Sequence, residues 1–134
     1  MLLTSKDQPK IGYKAVTIPG KKWCIAELEI PYYALVYAGY TPTKEYRTDR
    51  VIPKKFLSVG KHLVIPVGKH HIILPYSMAD SWFNPSFAYI KNQMVTSYLG
   101  NEVDNYGIHF FTDIIEAIVW GKSVMPACNF RPIV

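Results

Sequence analysis

Arg47 and Arg50 stand three positions apart in the segment Tyr46, Arg47, Thr48, Asp49, Arg50, inside the most basic stretch of the chain. Between residues 44 and 61 there are Lys44, Arg47, Arg50, Lys54, Lys55 and Lys61 against only Glu45 and Asp49. Two guanidinium forks at this spacing, with aromatic neighbours Tyr46 and Phe56, suit a phosphate or carboxylate held bidentately under a stacked ring. If residue 50 opens a strand, Arg50 and Lys54 share one side and Lys55 the other, with Arg47 in the approach loop. The competing reading is an ordinary solvated charged face, with Arg47 paired to Asp49 or Glu45.

His109 is the second candidate. It is a lone titratable group in the apolar run Gly107, Ile108, His109, Phe110, Phe111, which leads into a helix start where anions and functional side chains often sit. The competing reading is a core histidine satisfied by its neighbours. Adjacent His70 and His71 point to opposite sides of a strand and cannot both ligate one metal, and no thiol or carboxylate supports His62 and His70. No metal and no cofactor are expected. Nucleophile elbows, phosphate loops, dinucleotide fingerprints, zinc-protease motifs and Cys-x-x-Cys are missing, so the residues carry no positive sign of catalysis. Glu27 and Glu29 share one face of a strand, and alternation with core residues makes that face an exposed one.

The elements that must position these groups are strands. Ten prolines and eight glycines cut the 134 residues into short pieces rich in β-branched and aromatic side chains. Strands are expected over 11–16, 22–30, 33–37, 50–59, 62–65, 70–74, 87–91, 94–98 and 108–111. Cys24, Ala26, Leu28 and Ile30 alternate with Ile25, Glu27 and Glu29, the period of a strand with one buried and one wet face. One helix is expected over 112–121, capped by Thr112, ended by Gly121, with Ile114, Ile115, Ile118 and Val119 on its buried stripe. Trp120 then falls on the polar side and needs a cover, from the tail 125–134 or from a second subunit. The expectation is a single α+β domain over 1–134, a mainly antiparallel sheet with one short C-terminal helix.

The composition, 49% hydrophobic with 19% charged, excludes a disordered chain, and a fold of this size is stable without metal or disulfide. Cys24 and Cys128 match neither a disulfide framework nor a zinc site and read as plain thiols of a reducing compartment. Residues 1–7 lack a signal-peptide core, and the longest apolar run, 31–38, is too short to span a membrane, so the expected place is the cytoplasm. The net charge of +5 divides into +7 over residues 1–69 and −2 over 70–134, which favours a local anionic site over general affinity for polyanions. Long nucleic acid is not expected as a partner, because no RRM, KH or helix-turn-helix pattern is present.

Two stretches taken together carry a resemblance. Residues 25–31 (Ile-Ala-Glu-Leu-Glu-Ile-Pro) and 46–51 (Tyr-Arg-Thr-Asp-Arg-Val), then 87–91 (Phe-Ala-Tyr-Ile-Lys) and Gly107 to Phe111 followed by Ala117, resemble an uncharacterised family of large DNA viruses and phages, a domain of unknown function also found attached to pentapeptide repeats. The Gly-Ile-His-Phe-Phe run is its sharpest motif. Where relatives carry cysteine, this chain has Tyr46 and Asp104, so no thiol or metal role transfers to those positions. The resemblance implies no known chemistry, but Arg47, Asp49, Arg50 and His109 match it, which keeps an anionic site open. The leading expectation is therefore a non-catalytic viral or phage accessory protein that binds a small anionic ligand, a nucleotide first, through Arg47, Arg50, Lys54, Tyr46, Phe56 and His109. An acidic protein surface is the other partner of that chemistry. An oligomer-forming or virion-associated protein, held by Trp82, Trp120 and the tail 125–134, is the alternative. A nucleotide-acting enzyme with His109 as general acid or base is the third.

Overall fold

β1 (Ile11–Ile18) and β2 (Lys22–Glu29) run antiparallel in unbroken register, from Ile11 opposite Glu29 to Ile18 opposite Lys22. Around this pair the computed structural model builds a sheet that includes β3 (Val36–Tyr37), β4 (Glu45–Thr48), β5 (Arg50–Leu57), β8 (Val95–Thr96) and β9 (Ile108–Phe111). The order is β3-β4-β9-β1-β2-β5-β8, and every pairing is antiparallel. A further hairpin, β6 (Met78–Asp80) with β7 (Ala88–Ile90), hangs from β1 through Thr17 opposite Asp80. The turn after β7 ties this hairpin back to β5, the Asn92 amide donating to the Pro53 carbonyl at 2.8 Å. The structure describes residues 2–18, 22–39, 45–59, 77–81, 87–101 and 106–124. The strands expected at 62–65 and 70–74, the histidines His62, His70 and His71, Trp82, Cys128 and the tail 125–134 lie outside the described residues. The described part is a mostly antiparallel sheet with one short C-terminal helix.

Strand alternation sorts the apolar side chains into two cores. Val16, Ile18, Cys24, Ala26 and Leu28 face a larger one shared with Phe56, Tyr89, Ile108 and Phe110. Ala15, Trp23 and Ile25 face a smaller one under the helix, with Leu57, Phe111, Ala117 and Ile118. The one-wet-face reading of β2 is corrected by this second core: Ile25 is 0% exposed, and only Glu27 and Glu29 on that side escape the helix. Burial on both sides pushes the Cys24 thiol up to about 12, so it is an inert packing group.

The helix α1 (Ile114–Val124) is also shifted from the sequence expectation. Asp113, one residue beyond Thr112, is the cap: its carboxylate accepts the Ile115 amide at 2.9 Å. Ile114, Ala117, Ile118 and Gly121 make the inward stripe, spaced i, i+3, i+4, i+7, while Ile115 and Val119 face solvent. Trp120 packs half-buried against the smaller core, and the tail expected to cover it lies outside the described residues. Gly121 does not end the helix; it lies within it, where any Cβ would run into the Trp23 ring. This sets two effects against each other. Alanine is better than glycine in a helix by about 1 kcal/mol, but overpacking a core costs about 1–3 kcal/mol. Steric cost wins, and Gly121→Ala is expected to lower the urea midpoint; a raised midpoint would show that the helix can lift off Trp23 freely.

No helix among the described residues is long and apolar enough to cross a membrane.

Candidate functional site

The sheet forks along one side of β1. β9 pairs with β1 only where Tyr13 stands opposite Phe111, and β6 pairs with it only at Thr17, so residues 14–16 carry no ladder partner there among the described strands. The gap opens a cleft of about 760 Å³ whose walls include Lys14, Glu45, His109, Phe87, Tyr106 and Trp120. Five aromatic residues, with Tyr89 and Phe111 beside these three, line it together with Lys14, Glu45 and His109. A concave, mostly apolar site with a few placed polar groups is the usual form of a small-molecule pocket.

Lys14 is the unusual member. On β1 it occupies the same parity as Val16 and Ile18, which belong to the larger core. Where β9 diverges, its ammonium bridges the fork and donates to the His109 carbonyl at 2.9 Å. Burial lowers its pKa to about 8, partly offset by the nearby Glu45 carboxylate. Glu45 itself holds the His109 ring, with Nδ1 2.5 Å from Oε1. The register explains that contact: Glu45 pairs with Phe111 and Arg47 with His109, so Glu45 reaches its diagonal neighbour on the same face.

Arg47 was expected in a loop, as one half of an anion clamp. It stands instead in β4, 8% exposed, and its guanidinium donates to the carbonyls of Tyr106 (2.8 Å), Asn101 (3.1 Å) and Leu99 (3.2 Å) while lying 5.0 Å from the Tyr37 ring centre. It holds the chain that forms the Tyr106 wall. Gly107 completes the bend into β9, with φ of 107°, a conformation other residues rarely adopt, and with the Thr48 carbonyl crowding the place of a side chain. The leading glycine of the Gly-Ile-His-Phe-Phe run is thus a backbone requirement, and its histidine lines the cleft.

Arg50 turns elsewhere. It grips the Asp49 carboxylate through Nε (3.2 Å) and a terminal nitrogen (2.9 Å) and covers the Tyr33 ring at 5.4 Å. The structure does not bring Arg47 and Arg50 together as a clamp. Lys54 is the extra residue of a β-bulge: β2 pairs pass from Lys55 directly to Pro53, which has no amide hydrogen for the ladder. Phe56, 1% exposed in the larger core, has no surface for a ligand, and Tyr46 is stacked on Phe110 at 5.5 Å and 18°. Of the six residues chosen from sequence, His109 alone lines the cleft, and Arg47 supports its wall. Lys14 and Glu45 were missed. A lysine in step with Val16 and Ile18 was the signal available for the first; nothing comparable marks the second.

Three or more His, Cys, Asp or Glu side chains do not gather into a metal-holding group among the described residues. The fold and the site together define an α+β domain with an aromatic-walled cleft at a strand fork. No protein-family model matches the chain, and neither a curated protein nor a solved structure does.

Proposed function

We propose that this protein binds, without transforming it, a small anionic ligand carrying a flat ring in the cleft between β6 and β9. The observation that carries the reading is Lys14: a lysine drawn into a fork of the sheet, on the wall of a cleft lined by Phe87, Tyr106 and Trp120. At neutral pH it is mainly the ammonium form, because its pKa is about 8, and an anionic ligand offsets the cost of keeping that charge out of water. The aromatic walls supply stacking for the ring. Anion recognition is thereby moved from Arg47 and Arg50 to Lys14, with His109 as a hydrogen-bonding neighbour. Nucleotides join both features in one molecule, and an accessory protein of a virus or phage, the setting implied by the resemblance, gains by sequestering them.

Thermal melting with a panel of nucleotides and other ring-bearing anions tests this. A rise in Tm is expected that disappears in Lys14→Met and persists in Arg50→Ala, since RT ln(1 + [L]/Kd) gives about 2.7 kcal/mol at a hundredfold excess over Kd. A shift lost in Arg50→Ala and kept in Lys14→Met would move the site to the Asp49–Arg50 surface and end the cleft reading.

A second reading rests on a separate observation. Tyr32 (78% exposed), Tyr33 and Met94 form an exposed tract joined by the edge-on Tyr32–Tyr33 pair and the Tyr33–Met94 contact, and exposed Tyr98 (73%) meets Tyr106 of the cleft wall. Such a surface suits subunit contacts. A panel without any shift, together with a dimer in light scattering, would favour it.

A further inference from the structure

We propose that Lys14 is a covalent attachment point, forming a reversible imine with a ring-bearing aldehyde or ketone held in the cleft. This rests on the reading of the cleft as a ligand site and names a ligand class for it. The geometry has three parts. Lys14 lines the cleft at the fork, where no strand covers β1 between Tyr13 and Thr17 among the described residues. Its hydrogen-bond acceptor is the His109 carbonyl at 2.9 Å, which takes one N–H and leaves the lone pair of a neutral amine for an electrophile. The neighbouring carboxylate, Glu45, is engaged by His109 at 2.5 Å and acts on Lys14 through its charge. An amine in a desolvated, aromatic-walled site, with no ion-paired carboxylate among the described residues, is the environment that activates a lysine toward carbonyl carbon.

The step balances without a further reagent. The Nζ lone pair attacks the carbonyl carbon and forms the N–C bond. The C–O bond then breaks, and the oxygen leaves as water with the two amine protons, giving the imine. Nothing is oxidised or reduced, and water reverses the reaction. Burial supports the selectivity: with a pKa of about 8 against the ordinary 10.5, Lys14 carries at pH 7 about 300-fold more neutral amine than an exposed lysine. Lower basicity also lowers nucleophilicity, so a preference nearer tenfold is expected at limiting reagent.

The probe is pyridoxal 5′-phosphate, an aromatic aldehyde bearing an anion, with pyridoxal as its phosphate-free partner. The full chain is incubated with each at pH 7, reduced with sodium borohydride to fix any imine as a secondary amine, digested, and mapped by mass spectrometry. The expected result is label on Lys14 about tenfold above each of the other eleven lysines, and its loss in Lys14→Arg without increase elsewhere. Label spread evenly over exposed lysines such as Lys6, Lys10, Lys55 and Lys91, or unchanged in total in Lys14→Arg, would overturn the proposal. The two readings fail separately. A nucleotide-induced Tm rise that depends on Lys14, with no label there, would remove the imine and keep the anion site. Label at Lys14 from both aldehydes, with no Tm rise from any anion, would keep the imine and remove the anion preference.

Discussion

Arg47→Ala lowers the unfolding free energy by about 3–5 kcal/mol, while Arg50→Ala, three residues away, leaves the urea midpoint almost unchanged. The two arginines look interchangeable in sequence and differ in what their heads touch. Arg47 is buried and gives its guanidinium to three carbonyls on a chain more than fifty residues later, with the Tyr37 ring beneath it. Truncation leaves the carbonyls of Leu99, Asn101 and Tyr106 without that donor and opens a void beside the β4–β9 ladder. Each hydrogen bond to a charged group is worth about 1.5–3 kcal/mol, and because the three share one head group their losses do not add in full. Arg50 instead pairs with its sequence neighbour Asp49 at the surface, an arrangement that solvent and salt largely replace. Equilibrium unfolding in urea followed by far-UV circular dichroism separates the cases. Equal midpoints for the two variants would show that the carbonyl contacts contribute nothing. Arg47→Lys is expected to recover only part of the loss, since an ammonium cannot reach three acceptors from one planar fork.

The second large effect is a rise in stability with pH that belongs to Lys14. Its folded pKa, about 8, lies below its unfolded value near 10.5, so above pH 8 the folded chain has released a proton that the unfolded chain still holds. Stability therefore increases as pH rises through this window and is lost as pH falls through 8, by up to about 3 kcal/mol if the whole difference is expressed. Other groups work in the opposite sense at higher pH. Cys24 and Tyr89 are held neutral by burial, with folded pKa values above their unfolded ones, so their contribution is present at low pH and fades once the unfolded thiol ionises near 9 and the unfolded phenol near 10. The rise is accordingly clearest between pH 8 and 9. It is isolated as the difference between wild type and Lys14→Met, in which the other titrations are shared. Lys14→Met is expected to be at least as stable as wild type at pH 7, because a methionine fits the apolar stem without carrying a buried charge, and to lack the upward slope. Parallel pH profiles for the two proteins would mean that water reaches the Lys14 ammonium freely.

Much of the sheet was legible because alternation survives where one side chain type dominates each face. β1, β2 and β9 lie within a residue or two of their expected positions. β4 lies where an approach loop is expected before residue 50: Tyr46 and Thr48 keep strand parity, but the charged Glu45 and Arg47 beside them mask it. β5 was found, but its faces were assigned by simple alternation, and the bulge at Lys54 breaks the count between Pro53 and Phe56. The helix was found with its stripe rotated, because Ile115 and Val119 were credited for hydrophobicity while Ala117 and Gly121, whose small size lets the helix close on Trp23, were not. The candidate site was hardest to read, because it is made by a departure between strands. No local pattern states that β9 leaves β1 after a single pair, and only that departure turns Lys14 from a strand residue into the wall of a cleft.

The fork also orders events in time. Residues 14, 45 and 109 meet at one place, yet they leave the ribosome far apart, and the Lys14–His109 hydrogen bond joins positions 95 residues distant. The β1–β2 pair needs only the first thirty or so residues and can form early, whereas β9, the shared partner of β1 and β4, is the last of the described strands in chain order. Throughout most of synthesis Lys14 therefore stands on an open strand side as an ordinary hydrated ammonium. It acquires its low-dielectric surroundings only when nearly all the chain that the structure describes has been made.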